Sequence, residues 1–182
     1  MTPRHLLSPF LALALMTGGL TFTAASLAPT TAHADSNLTG AGMQGQQRPD
    51  FTLHDLEGES RHISEWDERV VLLNFWATWC PPCVREMPLF VDMQEEYEEQ
   101  GLTIVAVAID EHQAVSDFLD TYGVNFPVLI GEDDAMDVAS EYGNRFGSLP
   151  YSVLLDRDGK VRYIHAGELK RDTLEREMKP LL

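Results

Sequence analysis

Two unbroken β-favouring runs, Val70 to Trp76 and Ile104 to Ile109, restrict the possible folds of this chain more than any other feature. Neither alternates apolar with polar residues, so both suit strands covered on both faces. Between them the spacing of Val84, Met87, Phe90, Val91 and Tyr97 predicts a helix from about Pro81 to Gln100, closed by Gly101. Downstream, Asp110 with Gln113 reads as a capping box opening a helix with the stripe Val115, Phe118, Leu119 and Tyr122, and Gly123 stops it. Ala135, Val138, Ala139 and Tyr142 repeat that pattern before Gly143. Ser152 to Asp156 and Lys160 to His165 flank the hairpin signal Arg157-Asp158-Gly159, and a last helix runs from about Arg171 through Leu174 and Met178. Upstream, Phe51 to Leu53 and Arg61 to Ile63 enclose Glu57-Gly58-Glu59 as a short peripheral hairpin. The sum is an α/β fold: a central mixed β-sheet flanked by helices, with an N-terminal β-hairpin and a central helical insertion.

The N-terminus bounds the compartment. Arg4 and His5 precede an apolar run from Leu6 to Met16, and Ala32-His33-Ala34 stand just before Asp35. That is the layout of a secretory signal with cleavage after Ala34; the apolar core is shorter than the ~20 residues a spanning helix needs, and Gly18-Gly19 interrupt it. An uncleaved anchor is the alternative. Residues 35–48, rich in Gly, Gln and Asn, read as a flexible tether, and 49–182 as one domain with a proper core. The chain carries 13 Lys+Arg against 29 Asp+Glu, a formal charge of −16. Nucleic acid is therefore not an expected partner, because no Lys/Arg stripe offsets the repulsion of a polyanion. The acidity fits a basic partner surface, high ambient salt or plain solubility.

Both cysteines, Cys80 and Cys83, lie in NFWATWCPPCVREMP at the predicted strand-to-helix junction. A disulfide closing so small a loop removes little entropy from the unfolded chain, which weakens a purely structural role. Zinc would need about two further Cys or His ligands at suitable spacing, and no second CxxC or HxxxH exists; His54, His62, His112 and His165 are scattered. Copper with Met87 or His165 stays open, although Met87 sits at core spacing. A redox dithiol needing no cofactor is the remaining reading, and in an exported protein it would need a dedicated electron supply. Unpaired N–H groups at a helix start stabilise a thiolate, which makes Cys80 the candidate nucleophile. Pro81 and Pro82 suit the first helical positions and offer no N–H to the sulfur, so the Cys83 amide must serve it.

FWATWCPPC with Glu86 three residues past Cys83, YGVNFPVL, and GSLPYSVLLDRDGKVRYIHAGEL resemble the thioredoxin superfamily. Within it the similarity is to the exported TlpA/ResA/CcmG-like thiol:disulfide oxidoreductases, and it covers roughly Pro49 to Leu182. The resemblance implies a thioredoxin-like fold and a Cys80/Cys83 redox disulfide that reduces client proteins, with apocytochrome c as one client. It also implies recharging by a membrane thiol donor, and we expect a monomer. Pro150 matches a cis-proline whose preceding residue, Leu149, pairs with an incoming peptide; Trp79, Pro81, Pro82, Leu149 and Pro150 would form the docking rim. Glu86 matches an acid that helps move the proton of Cys83. Asn74 stands where cytosolic thioredoxins carry a buried aspartate, and Ser152 replaces the usual threonine. A copper carrier using the same sulfurs, or a disulfide oxidase or isomerase, is the alternative function.

Overall fold

The computed structural model describes residues 40–182. The expected leader, 1–34, and the first part of the tether lie outside the described residues. The described strands are β1 (Thr52–Asp55), β2 (Ser60–His62), β3 (Val70–Trp76), β4 (Leu102–Ile109), β5 (Val128–Gly131), β6 (Tyr151–Leu155) and β7 (Val161–Ala166). The helices are α1 (Pro81–Tyr97), α2 (His112–Tyr122), α3 (Asp133–Glu141) and α4 (Arg171–Met178). All seven strands form one sheet in the order β2-β1-β5-β4-β3-β6-β7. β3, β4 and β5 run parallel, and the flanking pairs are antiparallel, so the sheet is mixed as expected.

β3 is buried at every position, and the period of two splits its side chains between two cores. Val70, Leu72 and Trp76 face a cluster with α1, α2 and α4, including Met87, Phe90, Phe118 and Leu174. Val71, Leu73 and Phe75 face the other cluster with α3, including Val138, Ala139 and Tyr142. Helix α1 contains Pro88, a residue that costs about 3 kcal/mol in a helix interior. Burial of Met87, Phe90, Met93 and Tyr97 on its inner face contributes about 1.5–3 kcal/mol each and outweighs that cost. Val84 and Val91, expected on the core stripe, are only half-buried, because the stripe actually runs Cys83, Glu86–Met87, Phe90, Met93–Gln94, Tyr97.

Three expectations change. The hairpin does lie at the edge of the sheet, but it is joined to it by β5, a strand absent from the sequence reading, which pairs with β1. Four residues directly after Pro127 are too short to show a period. Second, Asp110 and Gln113 form no capping box. Helix α2 starts at His112 with Glu111 as an N-cap that makes no side-chain bond, while Gln113 donates to Asp117. Asp110 is instead engaged by the loop before the cysteines. Third, the last part of the expected tether is tied down. Gly45 N–H donates to the Val161 carbonyl at 2.7 Å, Val161 N–H to Gln46 at 2.9 Å and Arg48 N–H to Gly159 at 2.8 Å, along the β6–β7 hairpin.

Candidate active site

Cys80 lies just beyond β3 and is the N-cap of α1, with extended backbone angles. Pro81 and Pro82 fill the first two helical positions without an N–H, so the first amide the helix can aim at the sulfur is that of Cys83. It donates to Cys80 Sγ at 3.4 Å. The two cysteines are joined as a disulfide with Cα atoms 5.3 Å apart, so the site is in its oxidised state. Cys83 is 0% exposed and Cys80 4%, which leaves Cys80 as the sulfur a client can reach first.

Glu86 lies one turn further on the same buried stripe and is 1% exposed. Its Oε1 accepts from Asn74 Nδ2 at 3.0 Å, and its Oε2 accepts from the Leu169 backbone N–H at 2.9 Å. Asn74 Nδ2 also donates to Ser152 Oγ at 3.0 Å, across the β3–β6 register that sets those two residues opposite each other. Burial pushes the Glu86 carboxyl up to about 7, against the lowering effect of the two donated hydrogen bonds; Glu168 adds to the rise and Lys170 opposes it. A carboxyl sited here is half-ionised near neutrality and can exchange protons there.

The turn that supplies the Leu169 amide also holds the opposite loop: Gly167 N–H donates to the Pro150 carbonyl at 2.8 Å. The Leu149–Pro150 peptide is cis. Pro150 is buried, and Leu149 is half-buried against the cluster that contains both cysteines. Trp79 is 66% exposed, Pro81 is exposed and Pro82 half-buried. His165 is held between Tyr163 Oη and the Glu168 carbonyl, and Met87 is buried in the core.

The sequence reading missed Asp110. From the end of β4 its Oδ2 accepts from both the N–H and the Oγ1 of Thr78, at 2.8 and 2.6 Å, while Oδ1 accepts from Glu111 N–H at 2.8 Å. Thr78 is two residues before Cys80, so this carboxylate fixes the loop that delivers the sulfur to the helix start. The only signal was an acid directly after a buried strand, and a cap explains that equally well. Asp110→Asn cannot accept from all three donors, since one of its polar atoms is itself a donor. It is expected to cost about 1–3 kcal/mol in chemical denaturation, whereas Thr78→Ser, which keeps the hydroxyl, costs less than about 1. Parent-like stability of Asp110→Asn would remove the clamp from the account.

A disulfide at the start of a helix that follows a buried parallel strand, with the residue before a cis-proline packed on the same core cluster, defines a thioredoxin-like thiol-disulfide oxidoreductase. Comparison with known proteins agrees: the chain matches the Redoxin family over residues 43–181 and belongs to it. It is similar to the thiol-disulfide oxidoreductase ResA of Halalkalibacterium halodurans, 40% identical over 146 residues, covering 80% of this chain and 79% of that protein. Among solved structures it resembles one from Chlorobium tepidum assigned as a thiol:disulfide interchange protein DsbE. That match has a TM-score of 0.69 at 32% identity, over 76% of this chain and 96% of that one. A secreted thiol-disulfide isomerase from Corynebacterium glutamicum gives a TM-score of 0.69 at 25% identity, over 74% and 84%. The chain is thus a thioredoxin-superfamily oxidoreductase of the ResA/CcmG-like kind, acting on disulfide-containing substrates. Among the described residues no helix is long and apolar enough to cross a membrane.

Proposed function

We propose that this oxidoreductase works in the cell envelope as a reductant of client disulfides. The observation that carries the reading is the placement of Cys80 at the cap of α1, with the Cys83 amide on its sulfur and a buried carboxyl that titrates near neutrality one turn beyond Cys83. The leader-like N-terminus supports export. In the reduced protein the Cys80 thiolate attacks a client disulfide; a Cys80–client bond forms, the client bond breaks, and the departing client sulfur takes a proton. Cys83 then gives its proton to Glu86 and attacks the Cys80 sulfur. The intramolecular disulfide forms, the mixed one breaks, and the client leaves with both thiols reduced, having gained two electrons. A membrane dithiol donor returns those electrons to the pair. The haem-attachment thiols of apocytochrome c are the proposed client, on the strength of the family resemblance. Leu149, Pro150, Pro81, Pro82 and Trp79 form the surface against which the client lies.

The test is direct. Reduced protein is titrated with Cu(I) and, separately, assayed for turnover of insulin and of a disulfide-bonded haem-attachment peptide with a regenerating dithiol. Catalytic turnover of the peptide is expected. Tight stoichiometric copper binding with no turnover would replace the enzyme reading with a carrier.

A further inference from the structure

Asn74 lies in β3 with no exposure, and only one end of its side-chain amide is used. Nδ2 donates to Glu86 Oε1 and to Ser152 Oγ, both at 3.0 Å, while Oδ1 is buried without a hydrogen-bond partner among the described residues. A buried carbonyl oxygen left in this way is destabilising, and an apolar residue of similar size would avoid it. The spare oxygen therefore needs a reason.

Glu86 supplies it. The carboxyl is held by Asn74 Nδ2 on Oε1 and by the Leu169 N–H on Oε2, and both partners are donors. That set suits the carboxylate. Once the carboxyl takes a proton, its O–H needs an acceptor, and a backbone N–H cannot become one. A side-chain amide can, because a half-turn about its terminal bond exchanges Oδ1 for Nδ2. Oδ1 then stands where Nδ2 stood, 3.0 Å from Glu86 Oε1 and from Ser152 Oγ, and accepts from both, since the serine hydroxyl donates as readily as it accepts. Ser152 is 1% exposed and is set beside Asn74 by the β3–β6 register. One end of the amide is unpartnered in either orientation, a cost that the two protonation states share. Aspartate at position 74 has no donor for the ionised state, and leucine serves neither.

We propose that Asn74 is a positioning residue for the proton-transfer step: its amide turns over as Glu86 gains or loses the proton of Cys83, and Ser152 changes with it from acceptor to donor. This rests on the reading above that Glu86 takes that proton, and it deepens the reading by naming what serves both states of the acid. The proton that leaves the Cys83 thiol becomes the carboxyl O–H; the amide and the serine exchange hydrogen bonds and neither gains nor loses a proton. The charged and titratable neighbours have other partners. Arg85 of α1 and Lys170 before α4 are both paired with Glu168. His165 of β7, which faces Ser152 in the strand register, is held between Tyr163 Oη and the Glu168 carbonyl.

Two measurements on the full chain test this. In the oxidised protein the side-chain amide protons of Asn74, identified by their loss in Asn74→Asp, are followed by NMR between about pH 5 and pH 9. Both are expected to move upfield as pH falls, with the midpoint of the Glu86 carboxyl at about 7, and to stay fixed in Glu86→Gln. Resonances that do not move in the wild type, or that still move in Glu86→Gln, overturn the proposal. In the second measurement, reduced protein is mixed with a synthetic peptide closed by one disulfide, and acid quenching with mass spectrometry gives the rate at which the mixed disulfide resolves. Ser152→Ala removes an acceptor that the ionised state needs and should raise the pH midpoint of that rate by about one unit, whereas Ser152→Thr, which keeps the hydroxyl, should restore it. Asn74→Asp places a second carboxyl beside Glu86 and should raise the midpoint at least as far. A purely structural role lowers stability without moving the midpoint, so unchanged midpoints in Ser152→Ala and Asn74→Asp also overturn the proposal. Should Asn74→Asp not fold, the Ser152 pair and the wild-type titration still decide. Continued resolution with unchanged midpoints leaves the reductase reading standing; a reduced chain that opens no peptide disulfide overturns both.

Discussion

Replacing Cys80 with serine is expected to abolish disulfide reduction, lowering turnover by about 10³-fold or more, whereas Cys83→Ser accumulates covalent complexes with clients. The asymmetry follows from position. Cys80 caps α1 and receives the Cys83 N–H, so it is the sulfur that the helix start can hold ionised. A serine hydroxyl in that place stays protonated near neutrality and cannot open a disulfide. Cys83 is fully buried and meets only the Cys80 sulfur, once that sulfur is bonded to a client. Without it the first exchange still occurs, but the mixed disulfide has no internal attacker. Non-reducing electrophoresis followed by mass spectrometry reads the outcome. Equal, full activity in both variants would falsify the two-step exchange.

Glu86→Gln should produce the second large effect, in stability as well as rate. In the native protein this carboxyl titrates at about 7, above its ordinary value of 4.5, chiefly because it is buried. Between those two values the folded chain holds a proton that the unfolded chain has lost, so stability is fully present below about pH 4.5 and falls as pH rises through 7. At 1.36 kcal/mol per pH unit the loss is on the order of 3 kcal/mol, a large part of the margin of a small domain. Gln cannot titrate, so its unfolding free energy lacks this slope. Urea denaturation of both proteins at pH 5 and pH 8 measures the difference, and parallel profiles would refute the buried-acid account. The proposed kinetic role is separable. With no base one turn beyond Cys83, resolution of a preformed mixed disulfide at pH 7 is expected to slow by about 10²-fold. An unchanged pH–rate profile for that step would leave Glu86 a purely structural residue.

Neither the burial of Glu86 nor its network was legible in advance, although part of the signal was present. Position 86 lies three residues after Cys83 and four before Phe90, on the inner stripe of α1, yet an acid at helical spacing is most simply an exposed one. Its burial is tolerable only because Leu169 and Asn74 each bring a donor to it. The same logic misread Asp110, whose residue type and place after a strand suit a cap, while the structure gives it the Thr78 loop. β5 escaped notice because four residues show no period, and it joins the hairpin to the sheet only through pairing with β1 and β4.

By itself the amino-acid order determined what depends on neighbours within about one turn: the two buried strands, the helices and their glycine stops, and a cysteine capped by its own helix beyond two prolines. It also placed both cysteines in one CxxC pair where a strand passes into a helix. Tertiary structure alone decided which polar groups surround that dithiol, because those contacts join residues far apart in the chain: Glu86 with Leu169, 83 positions on, Asn74 with Ser152, 78 on, and Thr78 with Asp110, 32 on. Local propensity acts through backbone neighbours, whereas the charge and protonation of a site follow from what long-range packing places beside it and shields from water.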